Sequence, residues 1–429
     1  MAAEFFPKRL IIAQRQVDQL RALLGELVPG NRFYAAKFNA AGVHKKVSSL
    51  ADYFDRFPFT TKEELVQDQL ACPPYGSNLT YSLERYTRCH QTSGTAGTPL
   101  RWLDTPESWN WMLTNWEQIF RAAGVIRSDR LFFAFSFGPF IGFWLAFEAA
   151  QRMGCLCLPG GGLSSAARLR FILDHGATVL CCTPTYAIRL GEVAAKENID
   201  LTASAVKTII VAGEMGGSIP ATRAAIEALW PGARVFDHHG MTEVGPVSFE
   251  CPAQPGLLHV LENAYLAEVI SPTTGRAVEA GQSGELVLTT LGRTGSPLLR
   301  YRTGDIVKTA LDTVCVCGRS ELVLEGGILA RTDDMITVRG VNIYPSAVEE
   351  IIRASGDVIE YQAHVSSAEA LAELQIQIEP SAECTDPDAR ARKLEEAFLT
   401  AFSLRIPVTI AAPGTLPRFE LKSKRWLKL

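Results

Sequence analysis

Short hydrophobic runs alternate with longer amphipathic stretches through the middle of the chain. The short runs predict strands over Arg130–Phe137, Cys155–Leu158, Thr178–Thr183, Val206–Ala212 and Arg234–His238. The amphipathic stretches predict helices over Phe140–Gly154, Ser164–His175, Tyr186–Glu197 and Ile219–Leu229. This alternation predicts an α/β fold with a mostly parallel sheet that is covered by helices. Ligands in such folds bind at the carboxyl ends of the strands.

The pattern changes on either side of this region. Before it, the chain is mainly helical in pattern, with a capping box at Thr60-Thr61-Lys62-Glu63. A further helix is opened by Thr105-Pro106-Glu107 and ended by Gly124. After it, Leu257–Thr313 consists of short alternating runs separated by Gly and Pro, which predict a β-rich subdomain.

The tail that follows Arg331 has the pattern of a separate α+β unit. Met335–Val338 and Glu373–Gln377 predict strands, and Asp388–Ala401 predicts a polar, amphipathic helix. Another helix is predicted to start at Pro345, with Ser346 and Glu349 as its capping box. A tail of this length can fold as a domain of its own.

Composition narrows the class of protein. The 429 residues are 47% hydrophobic and 21% charged, as expected of a globular chain with two or three domains. A net charge of −4 argues against a dedicated nucleic-acid binder.

Residues 1–9 lack a continuous apolar segment, so we expect no secretory signal. The uncharged stretch Leu131–Phe147 is interrupted by Gly138-Pro139, so we expect a strand, a turn and a buried helix there, without a membrane span.

The chain has ten cysteines, which in a protein of this kind favour thiols or metal ligands over disulfides. Most of them lie in hydrophobic runs and are expected in the core. Cys251 and His259 form one pair and Cys315 and Cys317 another, on either side of the β-rich subdomain. Structural zinc sites are built from two separated ligand pairs, so these four residues predict zinc. Unrelated free thiols are the alternative, because the spacing is not that of a standard zinc finger.

The segment Arg88–Leu100 is dense in Ser, Thr and Gly. Glycine lets the backbone turn tightly and approach a ligand, and hydroxyls with free N–H groups suit a phosphate. The residues expected to hold it are Ser93, Gly94, Thr95, Gly97 and Thr98. The chain contains no Walker motif, so this would be a phosphate loop of another kind. Taken alone, the segment would also fit an ordinary surface turn.

Further motifs follow the predicted strands or close the chain. They are Gly213-Glu214-Met215, Asp237-His238-His239-Gly240-Met241-Thr242-Glu243, Tyr301-Arg302-Thr303-Gly304-Asp305, Arg331-Thr332-Asp333-Asp334-Met335 and Leu421-Lys422-Ser423-Lys424. In this order, from about Pro58 to the C-terminus, they resemble the adenylate-forming superfamily of acyl-CoA synthetases, firefly luciferase and peptide-synthetase adenylation domains. Thr332–Pro345 is very similar to the phenylacetate–coenzyme A ligase family.

The resemblance implies a two-step ligase reaction. ATP and a carboxylate give an acyl-adenylate and pyrophosphate, and the thiol of coenzyme A then displaces AMP. Thr242 would bind the α-phosphate, Glu243 would hold Mg²⁺, and Asp305 would accept hydrogen bonds from the ribose hydroxyls. The other residues implied in nucleotide binding are the loop residues Ser93, Gly94, Thr95, Gly97 and Thr98, then Gly213, Glu214, Asp237, His238, His239, Gly240, Met241, Arg319 and Arg331.

Asp333 matches the hinge position of the superfamily. The resemblance therefore implies a large N-terminal adenylate-forming domain, residues 1–332, with parallel sheets flanked by helices plus the β-rich subdomain. A small mobile α+β domain, residues 333–429, would rotate about the hinge. One arrangement would place the catalytic Lys422 on the carboxylate and α-phosphate, with Lys424 as its rival. The other would present Arg339 and Gly340 to coenzyme A.

Three positions depart from the family pattern. Thr98 stands where a lysine is usual, His239 where a tyrosine is common, and Leu421 where the motif usually has glycine. These departures leave open the alternative that the chain is a non-catalytic protein that only binds nucleotide. The intact Thr242, Glu243, Asp305 and Lys422 argue against that alternative.

The acid pocket is expected to be aromatic. Its predicted lining is Phe135, Phe137, Phe140, Phe143 and Met215. Aromatic surface without a fixed charge suits an aryl or arylacetic acid, whereas the alternative is that these rings only fill the core.

The expected partners follow from the implied reaction. They are a small aromatic carboxylic acid and coenzyme A, with a carrier protein as the alternative acceptor because both present a pantetheine thiol. We expect no nucleic acid or membrane partner and a cytoplasmic location. The resemblance also implies a homodimer.

Overall fold

The computed structural model describes residues 6–92, 99–312, 314–332, 336–338, 341–368, 371–419 and 423–428. The helical character predicted for the start of the chain is confirmed, and its helices are α1 (Arg9–Gly30), α2 (Arg32–Ala40), α3 (Leu50–Arg56) and α4 (Lys62–Ala71). Their apolar side chains form a cluster that includes Leu20, Leu24 and Tyr53 and that also takes in Leu266 and Leu299 from the β-rich region. The helical segment is thereby attached to the rest of the fold.

The capping box of α4 lies one residue later than predicted. Thr61 caps the helix and Glu64 completes the box. Thr60 is already committed elsewhere, because it bridges to Tyr301 and its hydroxyl donates to the Leu299 carbonyl at 2.8 Å. A tertiary contact therefore shifts a helix start that local pattern had placed at Thr60.

A short antiparallel hairpin precedes the main sheet. Strand β1 (Arg88–Gln91) pairs with β2 (Arg101–Asp104). Helix α5 (Pro106–Ala122) follows, and the hydroxyl of Thr105 accepts from the Ser108 N–H at its start, which confirms the predicted opening. The hairpin brings both ends of the Ser/Thr/Gly-rich segment close to α5.

The alternating region forms the predicted parallel sheet with its helices. In chain order its elements are β3 (Arg130–Phe133), α6 (Ile141–Arg152), β4 (Leu156–Pro159), α7 (Ser165–Asp174), β5 (Val179–Cys182), α8 (Pro184–Lys196), β6 (Thr208–Val211), α9 (Pro220–Leu229) and β7 (Arg234–Asp237). The five strands are parallel in the order β4-β3-β5-β6-β7. Leu131, Leu180 and Ile209 are fully buried in the core.

The uncharged stretch Leu131–Phe147 is a strand, a turn and a helix, as expected. Its strand lies inside the sheet and most of its helix faces the core. Across the described parts of the chain, no helix combines the length and the apolar character needed to cross a membrane.

The β-rich subdomain is a six-stranded antiparallel sheet. It follows the small hairpin of β8 (Gly240–Met241) and β9 (Gly245–Pro246). Its strands are β10 (Ser248–Glu250), β11 (Leu257–Val260), β12 (Tyr265–Ile270), β13 (Ser283–Thr290), β14 (Tyr301–Thr309) and β15 (Val323–Arg331). They are ordered β10-β11-β15-β14-β13-β12, so the long strands β14 and β15 lie at its centre.

The tail is an α+β domain with a hydrophobic core of its own. It contains β16 (Ile336–Val338), β17 (Val341–Ile343), α10 (Pro345–Ala354), β18 (Val358–Ala368), β19 (Leu371–Pro380), α11 (Pro387–Phe402), β20 (Val408–Ile410) and β21 (Trp426–Lys428). Ile352, Ile376 and Phe398 are fully buried among its sheet and helices. A continuous core separate from that of the larger sheet gives this unit its independence.

The predicted capping box of α10 is wrong. The helix begins at Pro345 with Tyr344 as its N-cap residue, and no side chain caps it. The Ser346 hydroxyl donates instead to the Leu329 carbonyl on β15. Glu349 is bound by Arg353 at 2.8 Å and by the Tyr361 hydroxyl. Both side chains are used in tertiary contacts that the local motif does not reveal.

Candidate active site

Three predicted nucleotide residues from separate elements meet at the carboxyl edge of the parallel sheet. His239 follows β7, Asp305 lies on β14, and Arg331 ends β15. The Asp305 carboxylate contacts His239 Nε2 through Oδ2 at 3.0 Å and accepts from Arg331 through Oδ1 at 2.9 Å. Asp305 and Arg331 are direct neighbours in the pairing of β14 with β15. Sheet register therefore assembles the group.

Burial makes this carboxylate a strong acceptor. Asp305 is only 4% exposed, so its charge is poorly hydrated and interacts strongly with nearby donors. The side chain of His239 is 10% exposed, and its Nδ1 atom has no partner within the described residues. The group thus combines an acceptor, a cation and a planar ring at a strand end, where a ribose and a base would find complementary chemistry.

The Thr242–Glu243 turn connects β8 to β9 beside this group. A buried arginine holds it: Arg293 donates to the carbonyl oxygens of Thr242 and Glu243, each at 2.8 Å. The same guanidinium binds the Asp104 carboxylate with two bonds of 2.7 Å, and both side chains are fully buried. Because a bidentate pair of this kind is rigid, it fixes the turn that carries the two predicted catalytic side chains.

Glu243 also has a cation nearby. Lys62, at the start of α4, places Nζ 3.8 Å from its carboxylate. Sequence reasoning missed Lys62, Arg293 and Asp104. Lys62 had been read only as part of a capping box, and no local motif marks the other two.

The Gly213-Glu214 turn follows β6 at the same edge of the sheet. Gly213 is exposed and has φ +92°, a conformation that favours glycine and leaves the backbone open to a ligand. The Glu214 carboxylate turns away to accept from the Thr185 N–H, in the first turn of α8, at 2.9 Å. Met215 next to it is half-buried. The glycine is thus placed as expected, whereas the glutamate side chain has a structural partner.

Asp237 and His238 lie below the surface of the site. The Ser218 hydroxyl donates to Asp237 at 2.6 Å, and burial raises the pKa of this carboxyl to about 6. His238 meets Trp116 edge-on at 4.4 Å between ring centres, and burial lowers its pKa to about 3. The histidine is therefore neutral at pH 7. Their depth makes them supports for the following residues, Gly240 and Met241, which are half-buried at the surface.

The predicted aromatic residues lie around the turn between β3 and α6. Phe135 is buried in the main core, and Phe137 packs edge-on against Trp144 and Phe147 at 5.0 and 5.3 Å. Phe140 is half-buried at the start of α6. The side chain of Phe143 lies outside the described part. Phe135 and Phe137 therefore fill core space as well as lying near a strand end.

Arg319 has a different environment from the other predicted nucleotide residues. Its guanidinium lies over the rings of Phe6 and Phe249 at 4.1 and 5.0 Å and approaches Glu321 at 3.4 Å. Phe249 stacks in turn on His259. The described side-chain contacts of Arg319 thus lie next to the cysteine–histidine group, through Phe249, and none of them is with His239 or Asp305.

The four predicted metal ligands are assembled. The ligand atoms of Cys251, His259, Cys315 and Cys317 all lie within 4.8 Å of one another. The Cys251 and Cys315 sulfurs are 3.6 Å apart, and the Cys317 sulfur is 3.4 Å from His259 Nε2. Tetrahedral zinc requires separations of about 3.5–3.8 Å between such atoms, and these two separations are close to that range. Burial, with a smaller effect from Arg319, lowers the pKa of His259 to about 4, which leaves the neutral ring that a metal needs.

The C-terminal domain reaches the same edge of the large sheet. The N–H and hydroxyl of Ser423 donate to Glu214 at 2.7 and 3.0 Å, and Arg425 donates to the Thr185 hydroxyl at 3.3 Å. Lys424 between them is exposed. Several predicted residues lie outside the described part, and their placement stays a prediction: Ser93, Gly94, Thr95, Gly97, Thr98, Asp333, Arg339, Gly340, Leu421 and Lys422.

Comparison with known proteins shows to which family this chain belongs. The AMP-binding enzyme family matches residues 91–292, and the AMP-binding enzyme C-terminal domain matches residues 340–428. The phenylacetate–coenzyme A ligase of Thermus thermophilus is 30% identical over 95% of this chain and 94% of its own. The chain belongs to the phenylacetate–coenzyme A ligase family. The family member of that name from Pseudomonas putida is 29% identical over 96% of this chain and 93% of its own.

Membership confirms the expected class of enzyme and fold. Proteins of this family are acid–thiol ligases that form an acyl-CoA and cleave ATP to AMP, and this chain is one of them. Among solved structures, 2-hydroxyisobutyryl-CoA ligase in its postadenylation state superposes with a TM-score of 0.92 at 26% identity, over 98% of this chain and 90% of its own. In its thioesterification state the TM-score is 0.74, at 27% identity and with the same coverage. The two domains here are therefore arranged as in the postadenylation state.

Proposed function

We propose that this ligase activates an aromatic carboxylic acid as its adenylate and transfers the acyl group to coenzyme A. The proposal rests mainly on the contact of the Asp305 carboxylate with both His239 and Arg331. This contact lies beside the Thr242–Glu243 turn, which Arg293 holds. It supplies a ribose acceptor and a ring for the base at the edge of the sheet where α/β folds bind ligands. Nearby aromatic side chains and the names of the relatives support an aryl acid.

In the first half-reaction, the chain would orient ATP and the acid. Asp305 would exchange its present partners for ribose hydroxyls, Arg331 and Thr242 would bind phosphate oxygens, and Lys422 would stabilise the charge on the carboxylate and α-phosphate. Glu243 offers the hard oxygen ligands that Mg²⁺ requires, and a bound Mg²⁺ would offset phosphate charge. Lys62 beside it adds a cation to a site whose phosphate loop has Thr98 in place of lysine.

In the second half-reaction, the C-terminal domain would turn about Asp333. We propose residues 1–332 and 333–429 as the two moving units, supported by their separate hydrophobic cores. The turn would withdraw Lys422 and bring Arg339 and Gly340 toward the pantetheine of coenzyme A. The thiol then attacks the acyl carbon, and AMP leaves.

The test is acid-dependent pyrophosphate release across a panel of phenylacetate, benzoate, and hydroxy- and aminobenzoates, with and without coenzyme A. We expect release with at least one aromatic acid, coenzyme A consumption in equal amount, and loss of both in Glu243→Gln. Absence of release with every acid would overturn the proposal and favour a protein that only binds nucleotide. Release without coenzyme A consumption would favour a carrier protein as acceptor.

We also propose that Cys251, His259, Cys315 and Cys317 hold a structural zinc ion. The four residues join the edge strand β10 and its neighbour β11 to the turn before β15. Three thiolates and a neutral imidazole form a closed ligand set with no position left for a substrate.

We expect about one zinc per chain in protein purified without chelators, measured by elemental analysis. Cys315→Ser should lose the metal and lower the melting temperature, because metal binding contributes to folding. Cys384→Ser, a change at a cysteine outside the group, should retain both. A zinc content near zero in the unmodified protein would reject the site.

A homodimer and a cytoplasmic location complete the proposal. The homodimer rests on the family resemblance alone. The cytoplasm is supported by the use of ATP and coenzyme A and by the ten cysteines, all of them free.

A further inference from the structure

One carboxylate ties the nucleotide side of the large domain to the segment that follows the catalytic lysine. Glu214 Oε1 accepts from the Thr185 N–H at 2.9 Å. Its Oε2 accepts both from the backbone N–H of Ser423 at 2.7 Å and from the Ser423 hydroxyl at 3.0 Å. Bonds to an ionised carboxylate are stronger than neutral ones, so this is a firm contact between the domains.

A second contact joins the C-terminal domain to the large domain at the same place, beside Glu214. Arg425 donates to the Thr185 hydroxyl at 3.3 Å, so Ser423 and Arg425 both reach the pair of Glu214 and Thr185. Arg425 is itself held inside the C-terminal domain by Glu360, with bonds of 2.6 and 3.1 Å. The charged part of its bonding therefore stays within its own domain, and the charge-assisted bonds across the boundary at this corner are those of Glu214 with Ser423.

The position of these contacts along the chain gives them a consequence for catalysis. Ser423 is the residue after Lys422, and adjacent Cα atoms are about 3.8 Å apart, so fixing the Ser423 amide restricts where Lys422 can lie. Glu214 is the residue after Gly213, in the turn that faces the nucleotide. We infer that Glu214 is a positioning residue that holds the Lys422 segment over the site for adenylation and must release Ser423 before the domain turns.

This inference rests on the proposed function and predicts a split between the half-reactions. Glu214→Ala removes both bonds to Ser423 and should slow acid-dependent pyrophosphate exchange by about 10- to 100-fold. Transfer to coenzyme A from a supplied acyl-adenylate should be unchanged or faster, because the released arrangement is already favoured. A side chain that only supports the fold would slow both steps alike.

A second variant tests the pairing and guards against misfolding. Ser423→Ala keeps the backbone bond and should give a smaller loss in the same direction. The double variant should be no slower than Glu214→Ala alone, because the two side chains act through one another. Additive losses would overturn the inference.

Glu350→Ala is the matched control. Glu350 also crosses the boundary, by accepting from the Ala221 N–H at 3.2 Å, but its partner lies on α9 and not in the Gly213-Glu214 turn. We expect Glu350→Ala to change the rate of each half-reaction less than threefold, well below the loss expected for Glu214→Ala. An equally selective loss of adenylation in this variant would assign the effect to domain docking in general and overturn the role of Glu214.

Hydrogen exchange tests the contact independently of activity. The Ser423 amide should exchange at least about tenfold faster in Glu214→Ala, while the buried strand β19 keeps its protection. Unchanged exchange at Ser423 would overturn the inference even in an active enzyme. Faster exchange in a protein without acid-dependent pyrophosphate release would keep the contact and reject the proposed function.

Discussion

Lys422→Ala should slow acyl-adenylate formation by about 10²- to 10³-fold or more, the usual cost of removing one preorganised group that stabilises developing charge. Transfer to coenzyme A from a supplied acyl-adenylate should survive, because the proposed role of Lys422 is confined to the first arrangement of the domains. The measurement is acid-dependent exchange of pyrophosphate into ATP, beside single-turnover thioester formation. The neighbouring Ser423, tied to Glu214 at the edge of the site, supports this assignment.

Lys424→Ala is the control for this prediction. Lys424 is exposed, while Ser423 and Arg425 on either side of it contact the large domain. Its substitution should leave both half-reactions nearly unchanged. If Lys424→Ala abolished adenylation and Lys422→Ala did not, the assignment of the catalytic lysine would be wrong by two positions.

Arg293→Met should destabilise the large domain by about 3–5 kcal/mol, because it leaves the fully buried Asp104 carboxylate without its partner. It should also lower adenylation, since the carbonyl oxygens of Thr242 and Glu243 lose the donor that holds their turn. The first effect is measured by urea unfolding of the variant and the second by pyrophosphate exchange under conditions where the variant is folded.

A double variant separates these two effects. Asp104→Leu combined with Arg293→Met replaces a buried ion pair by apolar side chains, which often restores stability. We expect the free energy of unfolding of the double variant to return toward that of the unmodified protein. Adenylation should stay low, because the Thr242–Glu243 turn still lacks the Arg293 donor. Recovery of activity together with stability would show that Arg293 acts only through the fold.

The alternation of strands and helices was predictable because buried parallel strands are short apolar runs, as in Val179–Cys182 and Thr208–Val211. Every strand and helix predicted between Arg130 and His238 occurs, with ends that differ by a few residues. The two capping boxes failed for a common reason. The hydroxyl of Thr60 donates to the carbonyl of Leu299, just before β14, and that of Ser346 donates to the carbonyl of Leu329 on β15, and each of these distant contacts outweighs the local motif.

The Arg293–Asp104 pair that holds the Thr242–Glu243 turn was not predictable. Arg293 and Asp104 are separated by 189 positions, and the pair forms only when the hairpin before α5 meets the β-rich subdomain. The environment of Arg319 has the same origin. The resemblance implied a place for Arg319 at the nucleotide, but the turn before β15 places its guanidinium over Phe249, which stacks on His259.

By itself, the sequence determined the order of the motifs and the kinds of residue that each step needs, and the resemblance of those motifs to the adenylate-forming superfamily indicated the class of enzyme. The kinds of residue follow from local chemistry, because a carboxylate, a glycine or a thiol has its capacity wherever it lies. Only the tertiary structure decided which of these groups meet. Asp305 faces Arg331 through strand register, and Glu214 holds Ser423 through the docking of two domains. Contacts of this kind depend on how distant segments pack, and no pattern along the chain encodes that packing.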